Sequence, residues 1–289
     1  MPTPSRAYTF ARAQRDQLRQ RYVTLRRCFR NDTRRPRLRA LVDALLRGRA
    51  AVSMTLATCE MVLRSGRVLT AADVVASEVG SRSGPAFDHA LELRLKKFYK
   101  ARVHLESLLH FDGKAKYAAL YVGGEGPDYG ACCVLFERGG VRTDSTCFAG
   151  DTLTTVFDAE GNPAGLSSAE VLMRFATRQD VHRLGSLAYR DILDDGHPAT
   201  PLDLQRLQDL LCVRDTLLEV HVHDDLLVED IQRIIIARKV GRSMAQKLLR
   251  YDDASVAERQ QMQFDDVRAY LAIHELADKR KIPVVGGTC

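Results

Sequence analysis

An α+β fold is predicted by three observations. Apolar residues keep a helical spacing to about residue 110, short β-branched and aromatic runs follow Gly113, and a strand of period two returns at TLLEVHVHD. With 45% hydrophobic and 28% charged residues, the 289-residue chain has enough apolar material for a core, which excludes a wholly disordered protein. No apolar run approaches the roughly 18 to 20 residues that span a bilayer, and MPTPSRAYTFARAQR lacks the apolar segment of a secretory signal, so folding in a cytosol is expected. The 7 cysteines include the adjacent Cys132 and Cys133, a terminal Cys289 and no C-x-x-C spacing. Reduced, mostly buried thiols are expected from that pattern, not a zinc knuckle or a disulfide framework.

Leu18, Tyr22, Leu25 and Phe29 form one helical stripe whose opposite face carries arginines. A second helix follows Pro36 with Leu38, Leu41, Val42, Leu45 and Leu46, and Thr70 with Asp73 announces a third through a capping box. Leu91, Leu95, Phe98, Val103 and Leu109 continue the pattern, so residues 1–110 read as mainly helical. KYAALYVGG, YGACCVLFE and VRTDSTCF read as strands separated by glycine turns, and LTTVFD extends the set before Gly161-Asn162-Pro163. Ser167 with Glu170 opens a helix and Thr200-Pro201 another, making residues 160–215 a helical insertion. IQRIIIAR fits strand or helix. The tail from Ser255 to Lys281 reads as a helix burying Val267, Tyr270, Leu271 and His274, with KIPVV as a last strand.

Charge is unevenly placed. The first 49 residues hold fourteen arginines and three acids (Asp16, Asp32, Asp43), so the net +6 of the chain resides in its N-terminal segment. Such a segment fits an anionic partner or a solvated helix face, and its sparse aromatics argue against base stacking, so nucleic acid is not expected.

In TLLEVHVHD, Leu218, Val220 and Val222 alternate with Glu219, His221 and His223, which places the three polar side chains on one face. Three ionisable groups on a buried face need partners, so something polar should lie over them. Two histidines at that spacing can also reach one metal ion, with Asp224 or Asp225 nearby, which keeps a metal-dependent hydrolase open.

LLEVHVHDDLLVEDIQRIII, together with KYAALYVGG followed by PDYGACCVLFE, and TDSTCFAGDT from Thr143 to Thr152, resembles three ordered stretches of one bacterial family. That family, long catalogued as a domain of unknown function, is similar to effectors that ADP-ribosylate a threonine of ubiquitin and block host ubiquitination. Its catalytic core is similar to that of poly(ADP-ribose) polymerases. The resemblance covers about residues 110–240.

It implies an ADP-ribosyltransferase-like split β core over residues 111–289, with NAD as substrate, no metal, and ubiquitin as the host partner. It further implies a monomer made in a bacterial cytosol and delivered into host cytosol. Breaking the nicotinamide–ribose bond develops positive charge at the ribose, so a fixed carboxylate is required. The resemblance carries that role to Glu219 and a second catalytic carboxylate to Asp151, with Asp144 as competitor. It suggests NAD contacts at Tyr117, Tyr129, Gly130, Asp144, Ser145, Phe148 and His221, where Phe148 or Tyr117 would stack on the nicotinamide. The acids Glu170, Asp191, Asp194 and Asp195 of the insertion would complement basic residues of ubiquitin. A binding-only effector with an inactive transferase core is the remaining alternative.

Overall fold

A computed structural model describes residues 5–30, 32–111, 113–123, 130–137, 145–157, 171, 173–194, 201–212, 216–253, 255 and 265–286. The chain opens with helices α1 (Arg6–Ala13), α2 (Arg15–Cys28) and α3 (Arg35–Arg47). The predicted stripe holds: Leu18, Tyr22, Leu25 and Phe29 are buried, as are Leu38, Leu41 and Leu45 of α3. Ser5 caps α1, its side chain accepting from the Tyr8 amide.

Region 1–110 is not helical throughout. Arg49–Met54 is strand β1, and it lies inside the sheet, paired with β2 (Lys116–Tyr121) and β3 (Cys132–Phe136). The sheet therefore does not divide at residue 110. RAAVSM is a short strand poor in bulky β-formers, held by neighbours on both sides, which is why its own sequence does not announce it.

Helices α4 (Leu56–Ser65), α5 (Ala71–Val79), α6 (Pro85–Leu95) and α7 (Tyr99–Leu109) follow, with the predicted Thr70–Asp73 capping box in place at α5. Phe98 and Val103, expected on a buried face, are exposed; α7 buries Ala101, Leu105 and Leu109 instead. Lys96, at the positive φ of 51°, ends α6 and resets the phase of the helix that follows.

Of LTTVFD, expected as a strand, Leu153–Val156 belong instead to helix α8 (Thr152–Val156) after strand β4 (Thr146–Ala149), Phe157 is extended, and Asp158 lies outside the described residues. The Asp151 carboxylate accepts from the amides of Leu153 and Thr154 at 2.8 and 3.1 Å, a cap that overrides the β-branched composition. Of the expected insertion, Gly161-Asn162-Pro163, Ser167, Glu170 and Thr200 lie outside the described residues. Of its described residues, β5 (Phe175–Thr177) extends the sheet and α9 (Val181–Ala188) packs on α2 and α3. Gly185 permits that approach, since a Cβ there would meet Leu45 at 2.7 Å. Helix α10 (Leu204–Cys212) begins after Asp203, which accepts from the Arg206 amide, and not at Pro201.

Strand β6 (Leu218–Val222) matches its pattern, and IQRIIIAR resolves into β7 (Ile231–Ile236) followed by α11 (Arg238–Asp253). Helix α12 (Asp265–Lys279) buries Val267, Ala269, Ile273 and Ala277, with Tyr270 partly buried; Leu271 and His274 face solvent. The predicted last strand is β8 (Val284–Gly286).

The result is a mixed α+β structure on one open sheet of order β5-β4-β6-β2-β1-β3-β7-β8, antiparallel except for the β7–β8 pair. One face carries Val52, Leu120, Val134, Leu218, Val220 and Ile234 into the main core with α2, α3, α4, α9 and α12. The other holds a second core of Phe148, Phe175, Phe111 and Leu105 beneath α1 and α7. Cys59, Cys132, Cys133 and Cys147 are buried thiols outside any disulfide and Cys28 an exposed one. No helix among the described residues is long and apolar enough to cross a membrane.

Leu45 is fully buried where α3, α9 and β6 converge. Leu45→Ala is expected to destabilise the chain by about 2–5 kcal/mol, read as a lower urea midpoint at unchanged slope. An unchanged midpoint would show that α3 does not seal the main core.

Candidate functional site

Strand β6 separates the two cores. Its apolar residues face the main core, while Glu219 and His221 face the second, opposite Ala119 and Tyr117 of β2 and Phe148 and Thr146 of β4. The polar alternation predicted for this strand is therefore real, but it lies in the interior of the sheet and not at an edge.

Glu219 Oε2 accepts three hydrogen bonds: from the Thr152 amide at 2.8 Å, from the Thr152 hydroxyl, and from His221 Nε2 at 3.2 Å. Oε1 makes none among the described residues, and the side chain retains 12% exposure. Burial opposes the charge most strongly, yet His221 and the Thr152 donors together outweigh it and hold the carboxyl below its ordinary range. The Thr152 amide is free to point at Glu219 because it opens α8, where no helical carbonyl claims it. Gly150, at φ 112°, turns the chain from β4 toward that helix, and its amide donates to the Leu217 carbonyl beside β6.

His221 is fully buried, with Nδ1 3.4 Å from the Thr146 hydroxyl and aromatic rings of Phe111, Tyr117 and Phe175 around it. The same hydroxyl lies 3.4 Å from His223 Nε2, which also meets Ser5 of the α1 cap at 3.4 Å. Burial, followed by the charges of His221 and Lys116, pushes His223 down to about 3, so it is neutral near pH 7. Among the described residues, no three His, Cys, Asp or Glu side chains gather as a metal-binding group.

Helix α7 supplies two residues that the sequence analysis does not single out. Glu106 accepts from the Tyr117 hydroxyl at 2.9 Å and from the Gly113 amide at 3.0 Å, and the Arg102 guanidinium lies over the Tyr117 ring at 3.6 Å. Burial raises the Glu106 carboxyl, against the pull of the Tyr117 hydrogen bond and Arg102, while Glu219 is lowered. Two carboxyl groups in one neighbourhood are thus driven in opposite directions, an arrangement suited to one fixed charge and one proton carrier. Arg102 and Glu106 are four apart on a helix, a spacing indistinguishable in sequence from an ordinary surface ion pair.

Arg102, Glu106 and Tyr117 also form one wall of a cavity of about 510 Å³ between β1, β2 and helices α5–α7, whose other walls include Val68, Leu69, Phe87 and Leu91. Two donors on residues of this wall, Arg102 Nη1 and Ser53 Oγ, are buried without a hydrogen-bond partner among the described residues.

The remaining expected site residues fall as follows. Asp151 touches the cluster through its neighbour Thr152, with Oδ1 engaged in capping α8. Gly130, at φ 107°, packs against the end of β1, where a Cβ would meet Met54 backbone atoms at 3.2 Å. Ser145 is buried, its carbonyl accepting from the Arg178 amide at 3.0 Å. Phe148, suggested to stack on the nicotinamide, is fully buried against Phe175, with ring centroids 4.8 Å apart. Tyr129 and Asp144 lie outside the described residues. The fold and site define a mixed α+β protein with a buried carboxylate–histidine cluster on the second face of one open sheet. No known family profile and no curated protein matches the chain.

The His223 shift has a definite sign. Its folded pKa lies below the usual 6.5, so between 6.5 and about 3 the unfolded chain binds the extra proton and stability falls as pH falls. The loss reaches up to about 1.4 kcal/mol per pH unit. Urea titrations from pH 7 to pH 5 should therefore show a shallower decline for His223→Gln than for the unmodified chain; equal slopes would remove His223 from the acid response.

Proposed function

We propose that this chain is an NAD-dependent mono-ADP-ribosyltransferase acting on a host protein, with a ubiquitin threonine as the acceptor suggested by the sequence resemblance. The observation that carries the reading is Glu219: an ionised carboxylate with one oxygen fixed by three donors and the other open, in a buried setting where its field is weakly screened.

The reaction asks for such a group. The bond between the ribose C1′ and the nicotinamide nitrogen breaks, its electron pair leaves with neutral nicotinamide, and C1′ becomes oxocarbenium-like. An acceptor hydroxyl then forms the new C–O bond and releases its proton to solvent water. In this scheme Glu219 Oε1 accepts from a ribose hydroxyl and its charge opposes the positive centre, with no reorganisation required because Thr152 and His221 already hold Oε2. The cavity beside Arg102, Glu106 and Tyr117, about 510 Å³ in volume, falls within the roughly 300–1,000 Å³ that small-molecule sites occupy, although Glu219 itself is not among its lining residues.

Asp151 takes a positioning role in this proposal. By capping α8 it fixes Thr152, and Thr152 fixes Glu219. Recognition of the acceptor by the acids of region 160–215 has less support: Asp194 is ion-paired with Arg34, and Glu170 and Asp195 lie outside the described residues.

Purified chain incubated with ubiquitin and biotinylated NAD should label ubiquitin, with mass spectrometry placing the group on a threonine. Glu219→Gln should lower the rate by at least about 100-fold while leaving the circular dichroism spectrum unchanged. Full activity in that variant would sink the assignment.

Asp151→Asn separates the two roles of that residue. Asparagine caps a helix about as well as aspartate, so activity should stay within about threefold of the parent, while Asp151→Ala should lower it strongly. If Asn is as damaging as Ala, the charge of Asp151 acts in the reaction itself.

A further inference from the structure

Five arginines face the groove between α2 and α3. Arg26, Arg27 and Arg30 line it from α2 and the turn after it, Arg35 and Arg39 from α3, and all five side chains are exposed. Other arginines of the same segment tie the fold together: Arg15 pairs with Asp180 at 3.2 Å, Arg34 with Asp32 and Asp194, and buried Arg37 donates to the Ile192 carbonyl at 2.8 Å. The five do nothing comparable. Among the described residues none of them forms an ion pair, and the one hydrogen bond their side chains make runs from Arg35 to the Arg30 carbonyl at 3.5 Å. Among the described residues, Asp43 is the single carboxylate on the groove wall.

So many like charges held together by two packed helices repel one another, and an anion seated among them relieves that repulsion. The residue type narrows the anion. The first 49 residues contain fourteen arginines and no lysine, and the planar guanidinium fork suits paired phosphate oxygens. Single-stranded nucleic acid would need exposed aromatic platforms, but Tyr22 and Phe29 are buried. Insertion into a membrane surface would need exposed apolar side chains among the arginines, and α2 and α3 present no large ones. The groove encloses about 580 Å³, the scale of a small-molecule site.

We infer that the α2–α3 groove binds a compact polyphosphate, a small molecule carrying several phosphates close together and gripped by arginines from both helices. This site is separate from the Glu219 cluster and does not depend on the transferase reading. Because the other face of α2 and α3 forms part of the main core, occupancy stabilises the whole chain.

Calorimetric titration and thermal melts of the full chain test this, with inositol hexakisphosphate and tripolyphosphate as probes at about 0.15 M salt. Micromolar or tighter binding of inositol hexakisphosphate and a rise in melting temperature are expected, both weakening as salt increases. The triple variant Arg27→Gln, Arg30→Gln, Arg39→Gln should lose affinity by at least about tenfold while melting at or slightly above the parent without ligand, since these side chains are exposed and their removal relieves like-charge repulsion. Arg30→Gln alone should show a smaller loss and serves if the triple variant does not fold. Absence of binding by either probe at millimolar concentration, or binding unchanged in the variants, overturns the proposal. So does preferential binding of duplex RNA, a polyglutamate peptide or phosphatidylserine vesicles through these same arginines.

Discussion

A mostly buried carboxylate kept ionised is the constraint around which the second face of the sheet is arranged. Desolvation of Glu219 would by itself raise its pKa and neutralise it, and the structure prevents this with donors drawn from two directions. His221 comes from the same strand, two residues on, and Thr152 from the first turn of α8. Those donors are placed in turn by Gly150, which redirects the chain after β4, by the Asp151 cap, and by the Thr146 hydroxyl beneath the imidazole. A local requirement at one carboxylate thus extends through two adjacent strands and a short helix.

The aromatic and cationic surroundings follow from the same requirement. Phe111, Tyr117 and Phe175 exclude water from His221, which strengthens its interaction with Glu219. Arg102 adds positive charge from the covering helix, while Glu106 beside it is pushed toward the neutral form by burial. The second core is consequently a mixed environment, apolar around the rings and highly polar at one end.

Much of this was legible in the sequence where local chemistry agrees with tertiary context. The Leu18–Phe29 stripe, the Thr70–Asp73 box and the alternation of β6 are periodic signals that the packing obeys. Glu219 and His221 were legible because ionisable residues alternating with valines demand partners. What escaped was decided elsewhere in the chain. β1 is a strand because β2 and β3 flank it, and α8 is a helix because one aspartate caps it against its own β-branched residues. Arg102 and Glu106 escaped because nothing in their spacing reveals that α7 lays them over Tyr117.

The two outermost strands, β5 and β8, are three residues each, at opposite ends of a sheet whose inner strands run to six. A bare strand edge is a template on which another chain can add its own backbone hydrogen bonds. Tapering the sheet in this way leaves little of β5 or β8 to copy, and the long apolar run of β7, Ile234 to Ile236, lies between β3 and β8. Among the described residues, the architecture that sets a charged cluster in the interior therefore also leaves little strand edge for self-templated polymerisation.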